Sequence, residues 1–404
     1  MKYIVILGDG MADEPLAQLD GKTPLEQADT PVMDALAAMG EIGLAKTVPD
    51  GVKPGSDVAN LGVLGYDART CYSGRSPLEA LSVGVPMADD DVIFRCNIVT
   101  LSEEGAYADK TILDHSAGEI STEDADILMD AVRSHFNSEE FQFYTGTSYR
   151  HITVWKNGSV LDMEPPHDHL GEKIGPYLPK EQAFRDMMEE SFRFLDAHPL
   201  NVQRAAEGKN KANSLWFWGA GTKPSLQNFT EKTCKTGAMI SAVDLLKGIA
   251  VGTGMKVIDV PGANGSLHTN YIGKAEAAVK AVLEDGCDLA YIHVEAPDEM
   301  GHQGDARKKI QSIEYLDSQV VAVVKEKMDA SGQDYRLLIM PDHPTPIHCR
   351  THTSDPVPYV LYDSTRQNKK ICKYSEKEAA ASGNYEPDGY KLMDRFLQES
   401  IRRK

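Results

Sequence analysis

The sequence predicts an α/β protein: a mainly parallel sheet with helices on both faces, plus an inserted α+β unit. Three observations carry this. From residue 215 onward, short apolar runs alternate with helix-length amphipathic segments, the βαβα rhythm of a parallel sheet. The first 90 residues share that character, opening on the apolar run 3–7. Between them the texture changes to paired short runs separated by turn residues, which reads as hairpins. The economical layout is one core, residues 1–92 and 213–404, with residues 93–212 inserted.

Taken in order, the run 3–7 is a buried strand ending in Gly8-Asp9-Gly10. An acid at the C-terminal edge of such a strand is where open α/β sheets place their sites. Residues 30–39 read as a helix with Thr30 as N-cap and Pro31 in the first turn. In VKPGSDVANLGVLGYD (52–67), Ser56 follows Pro54-Gly55 and precedes Val58, Leu61 and Leu64 at helical spacing. Serine is an ordinary N-cap there. A hydroxyl in that place also meets the positive end of a helix and its free N–H groups, which suit a phosphate or oxyanion. Residues 74–85 form another short helix.

In the insert, runs 92–101 and 106–110 read as strands joined at Glu103-Glu104-Gly105, and 122–136 as a helix behind Ser121. Runs 141–144 and 151–155 are strands, and Asn157-Gly158 is a hairpin turn into 159–163. A helix at 180–197 precedes a polar, loop-like stretch, 198–213. The core then resumes with strand 215–218, helix 237–250, strand 256–259, helix 270–285, strand 288–294, helix 306–329 and strand 335–340.

Composition bounds the partners. The 404 residues carry a formal charge of −19, which argues against non-specific nucleic-acid or anionic-membrane binding. An anionic substrate stays admissible, because bound cations and a few arginines can invert a local field. Six scattered cysteines without a CxxC pair fit thiols in a reducing cytosol. The N-terminal MKYIVILGDG reads as a strand, not a leader, and no apolar run approaches membrane-spanning length. A cytoplasmic enzyme is the expectation, and the sequence says nothing of its oligomeric state.

Two later stretches have the look of metal sites. Strand 288–294 ends in Glu295, followed by Asp298 and His302. Strand 335–340 ends in Asp342-His343, with His352 beyond. Carboxylates with imidazoles and no thiolate suit Zn²⁺, Mn²⁺ or a similar divalent ion. A serine hydroxyl is a weak nucleophile until metal coordination or a base favours its alkoxide.

With these residues in view, the chain resembles the cofactor-independent phosphoglycerate mutases of the archaeal-type branch, within the alkaline phosphatase superfamily. The likeness runs through LGDGMAD, GKTPLEQADTPVMDALAAMG, PGSDVANLGVLGYD, GRSPLEAL, FRCNIVT, GAMISAVDLLKGI, HVEAPDEMGHQGD and PDHPTP with RTHTSDPVP. It implies an alkaline-phosphatase-like core and an inserted substrate-binding lid. It implies that Ser56 takes the phosphoryl group, giving phosphoserine and enclosed glycerate, and so interconverts 3-phosphoglycerate and 2-phosphoglycerate without bisphosphoglycerate. Asp9, Ser56, Asp342 and His343 resemble one metal site, and Asp298, His302 and His352 the other. Two divalent ions are implied, Mn²⁺ foremost, with Zn²⁺, Co²⁺ or Mg²⁺ as alternatives. Arg95, Asp114, His115, Arg150, His151 and Lys235 are the implied substrate contacts.

The alternative is a homoserine kinase-type phosphotransferase, proposed for bacterial relatives of this branch, with an identical metal site and ATP as donor. His167-Asp168-His169 reads as a loop constellation, Trp216 and Trp218 as packing near the hinge, and His293 as a core histidine.

Overall fold

The computed structural model describes residues 1–366 and 372–398. The chain forms two compact units, Met1–Tyr72 with Ser225–Lys404, and Ser73–Pro224. No described helix is long and apolar enough to cross a membrane.

Among the described residues, the first unit is built on an eight-stranded sheet. The strand order is Tyr385–Glu386, Glu41–Ala45, Val357–Asp363, Tyr335–Met340, Lys2–Gly8, Leu289–Val294, Gly237–Ile240 and Lys256–Val257. The last five are mutually parallel. Val357–Asp363 runs antiparallel to both its neighbours. Tyr3 to Leu7 are fully buried, because a parallel strand covered on both faces reads as a continuous apolar run. Ile4 and Ile6 face a cluster containing Ala278, Val282, Leu316 and Val320. On the other face, Tyr3 meets Phe396 edge-on at 5.5 Å.

Three local readings change in this unit. The expected helix 237–250 is strand Gly237–Ile240 followed by helix Asp244–Gly252. Four apolar residues do not separate a buried strand from a helical turn; parallel pairing with Leu289–Ile292 decides it. The expected helix 306–329 contains a π-helical segment, Leu316–Val321, between Ala306–Tyr315 and Ala322–Ser331. That segment brings Leu316 so close to Gly8 that a Cβ there would lie 2.8 Å from Leu316 Cδ2. It also delivers Asp317, whose carboxylate accepts from Val32 N at 3.3 Å and Met33 N at 2.6 Å. The helix Pro31–Met39 is therefore capped from a distance, and Thr30 makes no side-chain cap bond.

The second unit centres on the long strand Val92–Leu101. It pairs antiparallel with Arg150–Trp155, with Ser214–Thr222 and, at its end, with Ile112–Asp114. Phe141–Tyr144 extends the sheet beyond Arg150–Trp155. Helices Thr122–Phe136 and Gln182–Asp196 contribute Leu128, Met129, Phe184 and Met188 to its core.

This unit is wider than the expected insert, 93–212. The chain passes between units at Tyr72–Ser73 and Pro224–Ser225, not near 89–95 and 208–215. The run at 215–218 reads like a core strand, yet Ser214–Thr222 pairs with Val92–Leu101 across Cys96↔Phe217. Helix Arg75–Ser82 follows it, with Ser76 Oγ donating to Gly219 O. Other local corrections follow the same cause, tertiary pairing overriding pattern. Residues 106–110 hold the 3₁₀ turn Tyr107–Asp109 rather than a strand, and 159–163 forms no strand. The polar 198–213 stretch contains helix Pro199–Ala206, capped by His198.

Candidate active site

The C-terminal ends of the central strands gather the acids and imidazoles. Asp9 follows strand Lys2–Gly8, and its N–H donates to Val294 O at 2.9 Å. Gly10 turns with φ 59°, and a Cβ there would lie 2.5 Å from Asp298 Oδ1. Only glycine fits both demands. Asp342 and His343 follow strand Tyr335–Met340 and are wholly buried. Asp342 Oδ1 accepts from Gly10 N at 3.1 Å and His343 N at 2.9 Å. Asp298 lies in helix Ala296–Gln303, one turn before His302, so both side chains share a face.

Ser56 is the first residue of helix Ser56–Val63; Gly55 is the N-cap and Ser56 makes no cap bond. The hydroxyl is thus not consumed by its own helix. Its Oγ lies 3.1 Å from His343 Nε2. His343 Nε2 is also 3.5 Å from Asp9 Oδ1 and from Asp342 Oδ2.

Ligand atoms of Asp9, Asp342 and His343 converge within 4.8 Å of one another, and so do those of Asp298, His343 and His352. His343 therefore stands between the two sets that the sequence separates. His302 joins the second set through Nε2, 3.2 Å from Asp298 Oδ2 and 3.0 Å from His352 Nε2.

The electrostatics fit cations. Burial, with Asp342, Asp298 and Glu295 nearby, pushes the Asp9 carboxyl well above its usual range. Asp9 Oδ1 is buried without a hydrogen-bond partner. A buried carboxylate so placed asks for a positive charge, and the oxygen and nitrogen donors present suit a divalent ion.

Sequence reasoning missed four residues around this site. Asn60 Nδ2 donates to Ser56 O at 2.8 Å and Asp342 Oδ2 at 2.7 Å. Its signal was a polar residue four positions after Ser56 on an apolar helix. Tyr291 donates to Asn60 Oδ1 at 2.6 Å. Lys309, wholly buried, donates to Ala12 O at 3.2 Å, Asp13 Oδ2 at 2.7 Å and Thr345 O at 2.8 Å. Thr345 in turn donates to Asp298 Oδ1. His293 is a core histidine, as expected, but its Nε2 lies 2.8 Å from Asp9 Oδ2.

Lys235 is a correction. Its Nζ lies 5.8 Å from the ring of Tyr3, at the N-terminal edge of the parallel sheet. Tyr3 and Asp9 are six positions apart, about 20 Å along an extended strand. Strand Gly237–Ile240 runs toward the site, so a lysine just before it falls at the far edge.

Within the second unit, one face of the sheet is cationic. Arg95 lies over Trp218 with its guanidinium carbon 4.7 Å from the ring centroid, and its Nε is 3.0 Å from Glu79 Oε2. Burial pulls its pKa below the ordinary guanidinium value. Arg150 is exposed and lies 5.0 Å from the Tyr149 ring centroid. His115 packs edge-on to Tyr149 at 5.6 Å and to His167 at 5.9 Å. Its Nδ1 is buried without a hydrogen-bond partner.

Asp114 and His151 also make hydrogen bonds within the unit, while His151 Nε2 is buried without a hydrogen-bond partner. Asp114 accepts from Ser116 N, Ser116 Oγ, Gly118 N and Asn210 Nδ2, all at 2.7–2.8 Å. His151 is wholly buried, accepts from Gly146 N at 3.2 Å and is held neutral by burial, its pKa pulled to about 3. Trp218 packs against Arg95 and, at 5.2 Å, against His167. His169 stacks on Tyr177 at 3.6 Å, and the 167–169 trio is not among the converging ligand groups of the described residues.

A mainly parallel α/β sheet whose strand ends hold two acid–imidazole clusters, with the hydroxyl of a helix-start serine beside them, defines the class of protein: an α/β chain with a serine among groups suited to divalent cations. Within it, residues 37–201 match the model of the 2,3-bisphosphoglycerate-independent phosphoglycerate mutase family. The mutase of that name from Methanosarcina barkeri is 49% identical over 389 residues, 95% of this chain and 96% of that protein. Among solved structures, a Pyrococcus horikoshii protein superposes with TM-score 0.80 at 28% identity, covering 99% of this chain and 98% of that one. The cofactor-independent phosphoglycerate mutase of Thermoplasma acidophilum gives TM-score 0.66 at 27% identity, covering 98% and 99%. The chain belongs to the family of 2,3-bisphosphoglycerate-independent phosphoglycerate mutases. These comparisons do not support the homoserine kinase alternative.

Proposed function

We propose that the chain interconverts 3-phosphoglycerate and 2-phosphoglycerate in the cytoplasm, with Ser56 as the residue that takes and returns the phosphoryl group. The observation that carries this is the Ser56 hydroxyl, free of its own helix and 3.1 Å from His343 at the meeting of two acid–imidazole clusters. Asp9, Ser56, Asp342 and His343 would hold one divalent ion and Asp298, His302 and His352 another, with Mn²⁺ foremost and Zn²⁺, Co²⁺ or Mg²⁺ as alternatives. When bound, such ions favour the serine alkoxide and offset the charge spread over a transferring phosphoryl group.

In the first step Ser56 Oγ bonds to phosphorus as the bond to glycerate O3 breaks, and the serine proton ends on the released hydroxyl. The glycerate reorients, its O2 attacks the phosphoserine, and Ser56 recovers its proton. Asn60 holds the Ser56 carbonyl and Asp342 together during both displacements. Arg95, Arg150 and His115 of the second unit are assigned to the substrate's carboxylate and phosphate, for which arginine's fork is suited. That unit acts as a lid, since water at the phosphoserine would turn transfer into hydrolysis.

The test is stereochemical. With 3-phosphoglycerate chiral at phosphorus and no 2,3-bisphosphoglycerate, two displacements through one serine give retention of configuration in 2-phosphoglycerate. Inversion overturns the phosphoserine route.

A further inference from the structure

Two side chains of strand Leu289–Val294 stand behind the carboxylates nearest Ser56. Tyr291 and His293 are two positions apart, so they leave the same face of the strand, and both are wholly buried. His293 Nε2 is 2.8 Å from Asp9 Oδ2, and its Nδ1 is 3.2 Å from Ser241 Oγ. Ser241 Oγ also accepts from Val243 N at 3.0 Å. With Asp9 ionised on a cation its oxygens only accept, so the ring proton sits on Nε2 and is donated to Asp9, and the Ser241 hydroxyl donates to Nδ1. Tyr291 reaches the neighbouring acid through one intermediary: its hydroxyl donates to Asn60 Oδ1 at 2.6 Å, and Asn60 Nδ2 donates to Asp342 Oδ2 at 2.7 Å. Both carboxylates of one cluster are thus steadied from a single central strand.

The other cluster is supported differently. His302 Nδ1 lies 2.9 Å from Arg350 O, and Asp298 accepts from Thr345 Oγ1. Arg350 and Thr345 both lie in the segment between strands Tyr335–Met340 and Val357–Asp363.

We propose that His293 and Tyr291 are positioning residues that set the orientation of Asp9 and Asp342, and so govern the cation held with His343 beside Ser56 rather than the one held by Asp298, His302 and His352. This rests on the two-cation reading above. Groups behind a metal ligand fix its orientation, and their loss commonly weakens metal binding about 10- to 100-fold.

The experiment titrates metal-free full-length protein with Mn²⁺, reading free ion by electron paramagnetic resonance. His302→Ala marks the class of binding that belongs to the Asp298 cluster. His293→Ala weakens the other class about 10- to 100-fold and leaves the marked class unchanged. Tyr291→Phe does the same to a smaller extent. His293→Gln, which offers an amide N–H near the place of Nε2, restores most of the loss. At saturating Mn²⁺, kcat of His293→Ala rises toward wild type while KM for 3-phosphoglycerate does not move. Wild-type affinity in both classes for His293→Ala and Tyr291→Phe overturns the proposal, as does equal weakening of both classes with a lowered Tm. Should His293→Ala fail to fold, Tyr291→Phe decides alone, since it removes one hydroxyl and keeps the ring. Absence of Mn²⁺ binding by the wild type is a separate result, and it defeats the two-cation reading itself.

Discussion

The two units carry opposite electrostatic problems. In the first, Asp9, Asp298 and Asp342 crowd the ends of three neighbouring strands and are almost wholly buried. Their own repulsion keeps the Asp9 carboxyl well above its usual range, after the larger effect of burial. In the second, Arg95 and Arg150 share a sheet face with Trp218, and Glu79 lies beside Arg95. One region concentrates carboxylates and the other guanidinium groups. A metal-assisted phosphoryl transfer needs both, because the phosphate must be neutralised where it reacts and gripped where it does not. The contrast teaches that the chain's net charge of −19 does not describe its parts: one sheet face of the second unit carries arginines and aromatic rings.

The largest expected effect tests the acidic region. Ser56→Ala removes the proposed nucleophile, and turnover of 3-phosphoglycerate should fall by about 10⁴-fold or more. The fold should survive, because Ser56 makes no cap bond and Gly55 remains the N-cap. Circular dichroism, and retention of the Mn²⁺ assigned to Asp298, His302 and His352, check that the protein is intact. A folded variant with near wild-type turnover would remove Ser56 from the mechanism.

Next comes the cation that these carboxylates would hold. Chelation should abolish activity and Mn²⁺ should restore it, with pH setting how readily. In the metal-free protein Asp298 raises the His302 pKa to about 9, so that proton must leave before the imidazole can bind metal. Below about pH 9, Mn²⁺ affinity should climb with pH, by at most about tenfold per unit for this one proton. The sign reverses for the metal-free protein: the charged pair stabilises it below pH 6.5 and that contribution fades as pH rises through 9. Affinity measured at pH 6.5 and 8.5, in wild type and His302→Gln, separates this proton from the others.

The cationic region is probed by Arg95→Ala. It should lower kcat/KM by roughly 5- to 150-fold, the equivalent of about 1–3 kcal/mol, by leaving substrate oxygens unpaired. Mn²⁺ content should not change. Release of free phosphate from 3-phosphoglycerate by this variant would show transfer to Ser56 proceeding while the glycerate is poorly held. The smallest effect is expected at Lys235→Ala. The side chain lies by Tyr3 at the wrong edge of the sheet, so kcat/KM should stay within about twofold of wild type. A large loss would restore it to the substrate contacts and break the assignment of cationic work to the second unit.

The sequence by itself determined the α/β class and pointed to Ser56 and to the acids and imidazoles that the structure brings together. The reason is local: Asp9, Asp298, Asp342 and His343 each follow closely on a long apolar strand, and Ser56 opens a helix after Pro-Gly. Strand ends and helix starts are what periodicity and turn residues encode most plainly. Tertiary structure decided the rest. It alone gave strand Ser214–Thr222 to the second unit, since an apolar run does not name its pairing partner. It put His343 between the two clusters and sent Lys235 to the far edge. It also bound Tyr291 to Asn60 and His293 to Asp9 across separations of 231 and 284 residues. Such contacts leave no spacing in the chain, because they depend on which strands lie side by side and which way each runs, and that follows only once the whole sheet has formed.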